Sequence, residues 1–236
     1  MREDRFLTST REIGATDIWS TETAPVKIHE VRNPGRKSEI SREQILDAAA
    51  TLFRDQGYAA TSMRQISNAV KMKAGSIYYY FATKEDVLHA VLDVGERAVA
   101  NSTKRYLKSA GPDACHRRRI ECAIEGHLRA LVEKSIYTSA YVRNYGQLPD
   151  EIKRRHRRRR NAYSRLWDGL FIEAKKAGEI RANISVVSLR LFVLGALNWT
   201  VEWFDPNIHS VDELIRRTPV FIFDGIGIHD TSADAE

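Results

Sequence analysis

Cysteine is nearly absent from this 236-residue chain: there are two, Cys115 and Cys122, and neither has a CxxC partner. A disulfide framework is therefore excluded. On one helix the two thiols would stand roughly 10.5 Å apart at 1.5 Å rise per residue, too far to bridge, so two reduced thiols in a reducing cytosol are expected. Long apolar runs are also missing, and none approaches a membrane span. The first 25 residues carry charges throughout and have no apolar h-region, so they do not read as a signal peptide. A cytoplasmic protein without membrane contact is expected. Catalytic signatures are lacking as well. The seven histidines make no HExxH spacing, and no Gly-rich phosphate loop or nucleophile elbow occurs. No enzyme, no cofactor and no metal site is expected.

What is present is ordinary in amount and informative in order. Hydrophobic residues make up 43% and charged residues 29%, so the chain can bury a core of its own without staples. A net charge of +6 and a pI near 9.3 suit a polyanionic partner: nucleic acid, acidic lipid or a phosphorylated ligand. Charge alone does not choose among them.

No segment reads as a strand, and about nine helices account for the chain. Residues 1–40 mix Thr, Ser, Glu and Arg around Pro25 and Pro34 and are expected to form a disordered arm. Its basic end, Arg32 to Lys37, either reaches a minor groove or stays solvated. The run Ser41 to Gln44 has a capping-box pattern, followed by an apolar face at Ile45, Ala49, Leu52 and Phe53 and a stop at Gly57. A second helix starts at Ser62, with Ile66, Ala69 and Val70 on one side. A tight break at Lys71–Gly75 precedes a third helix, Ser76 to Phe81. Thr83 then caps a fourth, to about Lys108. Further helices are expected over 113–135, 138–145, Pro149 to Ala177, 186–204 and from Ser210 to about 224. The implied domains are the arm (1–40), a three-helix head (41–86), a larger helical domain (87–226) and a flexible tail (227–236).

Three short helices with a tight turn before the third make a helix-turn-helix, whose last helix lies in the major groove. With Ile77 and Phe81 turned inward, the third helix offers Ser76, Tyr78, Tyr79 and Tyr80, with Lys73 before it, as groups for phosphates and base edges. Arg64, in the first turn of the second helix, has the fork that fits guanine O6/N7. Lys84, at a helix N-terminus, suits a backbone phosphate. Residues 36–84 carry eight basic and four acidic side chains, so this head holds +4 of the net +6.

These residues, from Ile45 through Phe53, Gly57 to Ile66, Lys73 to Phe81 and Lys84 to Asp86, closely resemble the N-terminal domain of the tetracycline-repressor (TetR) family. The resemblance places DNA contacts on Ser62, Arg64, Lys73, Gly75, Ser76, Tyr78, Tyr80 and Lys84. Many members have His at the position of Tyr80, and a phenol can still donate to phosphate there. It also implies that the larger domain binds a small effector and forms a homodimer matching a palindromic operator on double-stranded DNA. Repression is the family's usual sign.

Helix 186–204 is apolar on nearly every side and is expected to be buried on nearly every side. The last helix offers Leu214, Ile215, Val220, Phe221 and Phe223 to the same interface. The stretch Leu194 to Pro206, with Arg165, Trp167 and the run Gly178 to Arg181, is similar to TetR-type regulators of lipid, steroid and aromatic-acid breakdown, some of which sense acyl-CoA thioesters. The run Lys153 to Arg160 could hold the phosphates of CoA or form a solvated helix face. Tyr141, Tyr145, Arg160, Tyr163, Arg165, Trp167, Asn198, Trp199 and Trp203 are the candidate effector contacts. The rival readings are a regulator answering to another hydrophobic ligand or drug, an effector-independent DNA-binding protein, and a sequence-neutral architectural protein, which would not need the large apolar domain.

Overall fold

A computed structural model describes residues 36–133 and 135–226, and there the chain is all-α. In order the helices are α1 (Arg36–Ala60), α2 (Met63–Ala69), α3 (Ala74–Tyr80), α4 (Lys84–Ser109), α5 (His116–Glu133), α6 (Ser135–Tyr145), α7 (Asp150–Lys176), α8 (Val186–Trp203) and α9 (Val211–Ile226). Among the described residues no helix is long and apolar enough to cross a membrane.

The head forms where its local signals put it. Gly57 has φ 84° and ψ 161°, a conformation that glycine tolerates best, and it breaks α1 before a last turn over 58–60. Ser62 caps α2: its hydroxyl accepts from the Gln65 amide at 3.2 Å, and the Gln65 side chain accepts from the Ser62 amide at 2.8 Å. Thr83 and Asp86 repeat the device at the start of α4. Several boundaries differ from expectation. Helix α3 starts at Ala74 and not Ser76, so Gly75 lies in its first turn and not in the preceding break, and α5 and α6 start at His116 and Ser135 and not near 113 and 138. Helix α1 starts at Arg36, so Ser41 lies inside it; the five residues before Ser41 contain neither Pro nor Gly and let the helix extend backward. Pro149 is the N-cap of α7 rather than its first helical residue. Most of the expected N-terminal arm and all of the 227–236 tail lie outside the described residues.

Two cores organise the chain. The first joins Ile45, Ala49 and Phe53 of α1 to Ile66, Ile77 and Phe81, and runs on without a break into Val87, Leu88 and Val91 of α4 and Tyr137 and Ala140 of α6. Each large apolar side chain buried there contributes about 1.5–3 kcal/mol. The second lies between α5, α7, α8 and α9, around Trp167, Phe171, Ile124, Leu128, Val193 and Leu197. Helices α4 and α5 pack closely enough that a Cβ on Gly126 would lie 2.6 Å from the Thr103 Cα.

Helix α8 is covered on one side within the single chain. Leu189, Val193, Leu197 and Thr200 are buried, but Val187, Leu191, Phe192, Trp199 and Trp203 are exposed, Phe192 to 80%. The single chain packs α8 from one side only. On α9, Phe223 is buried while Val220 and Phe221 stand in the open, so both helices present apolar side chains outward.

Candidate nucleic-acid interface and effector cavity

The reading face follows from helical phase. Ile77 is fully buried and Phe81 nearly so, and this turns Ser76, Tyr78 and Tyr79 outward; both tyrosines are more than half exposed. Tyr80 is half-buried against the head's core, its ring edge-on to Tyr79 at 5.2 Å. Arg64, Lys73 and Gly75 are also exposed. A Cβ on Gly75 would meet nothing within 4 Å, so this glycine serves no packing need within the chain. Ser62 is exposed, but its hydroxyl is engaged in the α2 cap.

Lys84 stands apart from that face. Its ammonium donates to the carbonyls of Tyr58 (3.0 Å) and Thr61 (2.8 Å) and sits over the Tyr58 ring. The Tyr58 carbonyl also accepts from the Thr61 N–H at 3.2 Å, so Lys84 closes the turn between α1 and α2. The Tyr58 hydroxyl in turn donates to Glu85 at 2.8 Å. In this conformation Lys84 is a tie inside the head and not a free cation waiting for phosphate.

In the larger domain, a cavity of about 310 Å³ is lined by Tyr141 and Tyr145 of α6, Lys153 and Arg160 of α7, and Asn198 of α8. Four of the expected effector contacts, Tyr141, Tyr145, Arg160 and Asn198, meet there. The Arg160 guanidinium lies over the Tyr145 ring, 3.9 Å from its centre. Burial pushes the Tyr141 phenol well above its ordinary value, with the nearby Glu96 charge adding to it, so the Tyr141 hydroxyl keeps its proton and is able to donate.

The other expected contacts fall elsewhere. Trp167 is completely buried in the second core. Arg165 is exposed, two residues along α7 from the inward-facing Tyr163 and so on another side of the helix. Trp199 and Trp203 are exposed outside the cavity. Asn198 takes the inward position, Trp199 is one residue further round, and Trp203 follows it at i+4. Tyr163 lies behind the cavity in a hydrogen-bonded chain: Asn198 Oδ1 to His127 Nε2 at 3.2 Å, His127 Nδ1 to the Tyr163 hydroxyl at 2.8 Å, and Tyr163 to the Thr103 hydroxyl at 2.9 Å. Burial lowers the His127 pKa to about 4, so the imidazole is neutral at physiological pH. Sequence reasoning missed His127, because its partners come from two other helices, 36 and 71 residues away.

The basic run 153–160 divides by face. Arg154, Arg155, Arg157 and Arg158 are exposed, Lys153 and Arg160 reach the cavity, His156 is fully buried, and Arg159 pairs with Asp93. A larger open groove of about 650 Å³ runs between α5 and α9, but its Arg117, Arg118 and Arg129 are already matched by Glu121, Glu125 and Asp212.

Helix α6 connects cavity and head. One face bears Tyr141 and Tyr145, four residues apart with their rings 5.5 Å from each other; beside it stands Asn144, whose amide donates to the Phe53 carbonyl at 2.9 Å and the Ala140 carbonyl at 2.8 Å and accepts from the Tyr58 N–H at 2.8 Å. Arg143 grips Glu202 through two nitrogens and also donates to the Arg54 carbonyl. The Tyr137 hydroxyl donates to Asp47. Replacing Asn144 with Ala strands the Tyr58 N–H, which the Gly57 break removes from the helical ladder. A stability loss of about 1–3 kcal/mol is expected, read as a lower denaturant midpoint.

Residues 45–91 match the family of bacterial regulatory proteins, tetR family, and residues 114–226 match the tetracyclin repressor-like C-terminal domain. The chain is 26% identical over 194 residues to the HTH-type transcriptional repressor KstR2 of Rhodococcus jostii, covering 78% of this chain and 90% of that protein. It is 24% identical over 189 residues to the fatty acid metabolism regulator protein of Bacillus subtilis, covering 79% and 94%. Its fold is similar to a solved bacterial regulatory protein in the tetR family from Rhodococcus, with a TM-score of 0.72 at 18% identity over 80% of this chain and 98% of that one. The curated relatives named here are transcriptional regulators and not enzymes.

Proposed function

The chain belongs to the tetR family through both its DNA-binding head and its C-terminal domain, and from that premise we propose that it is a homodimeric repressor released from a palindromic operator by an acyl-CoA thioester. Two lines of support bear on the effector. The relatives include a fatty acid metabolism regulator. The observation that carries the reading is the cavity itself: two tyrosine rings form an apolar wall, while Arg160 and Lys153, whose ammonium also donates to the Gly146 carbonyl at 2.9 Å, stand on one side of it. Aromatic walls suit an acyl group, and two cations suit the phosphates of its carrier. The volume is at the small end for ligand sites, which favours short or aromatic acyl groups.

The DNA contacts fall to Arg64, Lys73, Gly75, Ser76, Tyr78 and Tyr80, with Ser62 and Lys84 shaping the head beneath them. The exposed apolar residues of α8 and α9 supply the dimer face. Release works through α6. An acyl group between Tyr141 and Tyr145 displaces the helix whose Asn144 and Arg143 hold the end of α1. Two heads spaced for successive major grooves then lose their register. Such a regulator acts in the cytoplasm, where its operator lies.

A mobility-shift titration on DNA upstream of the protein's own gene tests this. CoA thioesters of short, long and aromatic acids are compared with free CoA and the free acids. A thioester should weaken operator binding at least tenfold, and Arg160→Ala should abolish the response while leaving operator affinity in the absence of effector unchanged. A response confined to free acids or unrelated drugs would end the CoA assignment.

A further inference from the structure

His89, Asp93 and Glu96 lie on one face of α4 at spacings i, i+4 and i+7, and His156 of α7 packs into that face. His156 is fully buried. Its Nδ1 is 3.0 Å from Glu96 Oε2 and 3.7 Å from Asp93 Oδ1. Its Nε2 is 2.9 Å from His89 Nδ1. One ligand atom from each of Asp93, Glu96 and His156 falls within 4.8 Å of the others. The second oxygen of Glu96 has no hydrogen-bond donor although the side chain is only 5% exposed, a costly arrangement for a carboxylate. A proton on His156 Nδ1 satisfies one carboxylate oxygen. A cation satisfies both carboxylates and the imidazole together.

We propose that Asp93, Glu96 and His156 form a binding site for a divalent transition-metal ion of the zinc class, joining α4 to α7. The donor set decides the class: one imidazole with two carboxylates suits Zn²⁺, Co²⁺, Ni²⁺ or Mn²⁺ better than Mg²⁺ or Ca²⁺, which prefer oxygen alone. The two carboxylates neutralise a +2 ion. His156 donating its Nε2–H to His89 leaves the Nδ1 lone pair directed at the site, which is how metal-binding histidines are oriented by an outer partner. Three protein donors leave coordination positions open. Arg159 now pairs with Asp93 and stands 3.7 Å from Glu96. Its side chain is 21% exposed, so it can swing into water when the ion enters.

The rival is a purely ionic network in which Arg159 is the permanent counter-charge, and the two make opposite predictions. The whole protein, stripped with chelator and dialysed, is titrated calorimetrically with ZnCl₂ and separately with CoCl₂ under visible absorption. One ion per chain should bind, MgCl₂ should not compete, and Asp93→Asn should weaken binding at least about 10-fold. Arg159→Gln should retain or tighten binding, and Zn²⁺ should raise its Tm. If Asp93→Asn does not fold, the Arg159→Gln result decides: a destabilised variant that Zn²⁺ does not rescue overturns the site. So does the absence of saturable binding to the unmodified protein, or binding undiminished in both Asp93→Asn and Glu96→Gln, which would place the ion on surface histidines or the exposed Cys115.

Discussion

Arg64→Ala is expected to cost about 1–3 kcal/mol of operator affinity at each half-site, roughly a tenfold to hundredfold rise in Kd for each. The side chain is exposed at the first turn of α2 and supports no core residue, so Tm and oligomeric state should not move. Tyr78 gives a companion measurement. Its ring is 55% exposed, and Tyr78→Phe removes only the hydroxyl, which separates a hydrogen bond to DNA from a stacking or packing contact. Footprinting of the Arg64→Ala variant on the operator decides the matter: normal protection at normal concentration would remove α2 from the reading face.

The largest effect is expected from Phe192→Glu. Phe192 is the most exposed large hydrophobic residue of α8, flanked by Leu191 at 61%. In the single chain it contributes nothing to the core, so the fold should survive. Placed in a dimer interface, a carboxylate there would be buried without a partner, which is strongly destabilising to association. Light scattering should report a monomer. Operator binding should fall further than the interface loss alone explains, because linking two heads multiplies affinity by about 10²–10⁴. A Phe192→Glu protein that stays dimeric with full operator affinity would move the interface away from this face.

The head was legible because its determinants are local. The Ser62 and Thr83 caps, the Gly57 break and the Ile77/Phe81 pair act over spans of a turn or two, and each acts as its spacing predicts; the Ser41 pattern does not, because nothing before it stops the helix. The Lys84 contacts were not legible: its position at a helix N-terminus is local, but the carbonyls it meets lie 23 and 26 residues earlier. In the larger domain, helix existence was readable and helix phase was not. Asn198 and Trp199 are neighbours in sequence, yet one faces the cavity and the other faces outward; an apolar stretch with no polar face gives no phase to read. The chain from Asn198 through His127 and Tyr163 to Thr103 joins four helices across separations of 36 to 71 residues, and nothing in a single sequence signals such pairings. The face of α4 bearing His89, Asp93 and Glu96 carries a periodic signal, but the His156 that packs onto it comes from α7, 60 residues beyond Glu96.

The head shares its apolar floor with α4 and α6, and this bears on how such regulators can be recombined. A chimera cut after residue 86 would carry Ile45, Phe53 and Ile77 onto a foreign sensor that lacks Val87, Leu88, Tyr137 and Asn144 as they are placed here. The grafted reading helix would keep its sequence preference but lose the surface that sets its angle. Exchange of operator specificity in this protein is therefore better attempted by transplanting individual exposed side chains of α2 and α3 than by swapping the head as a cassette.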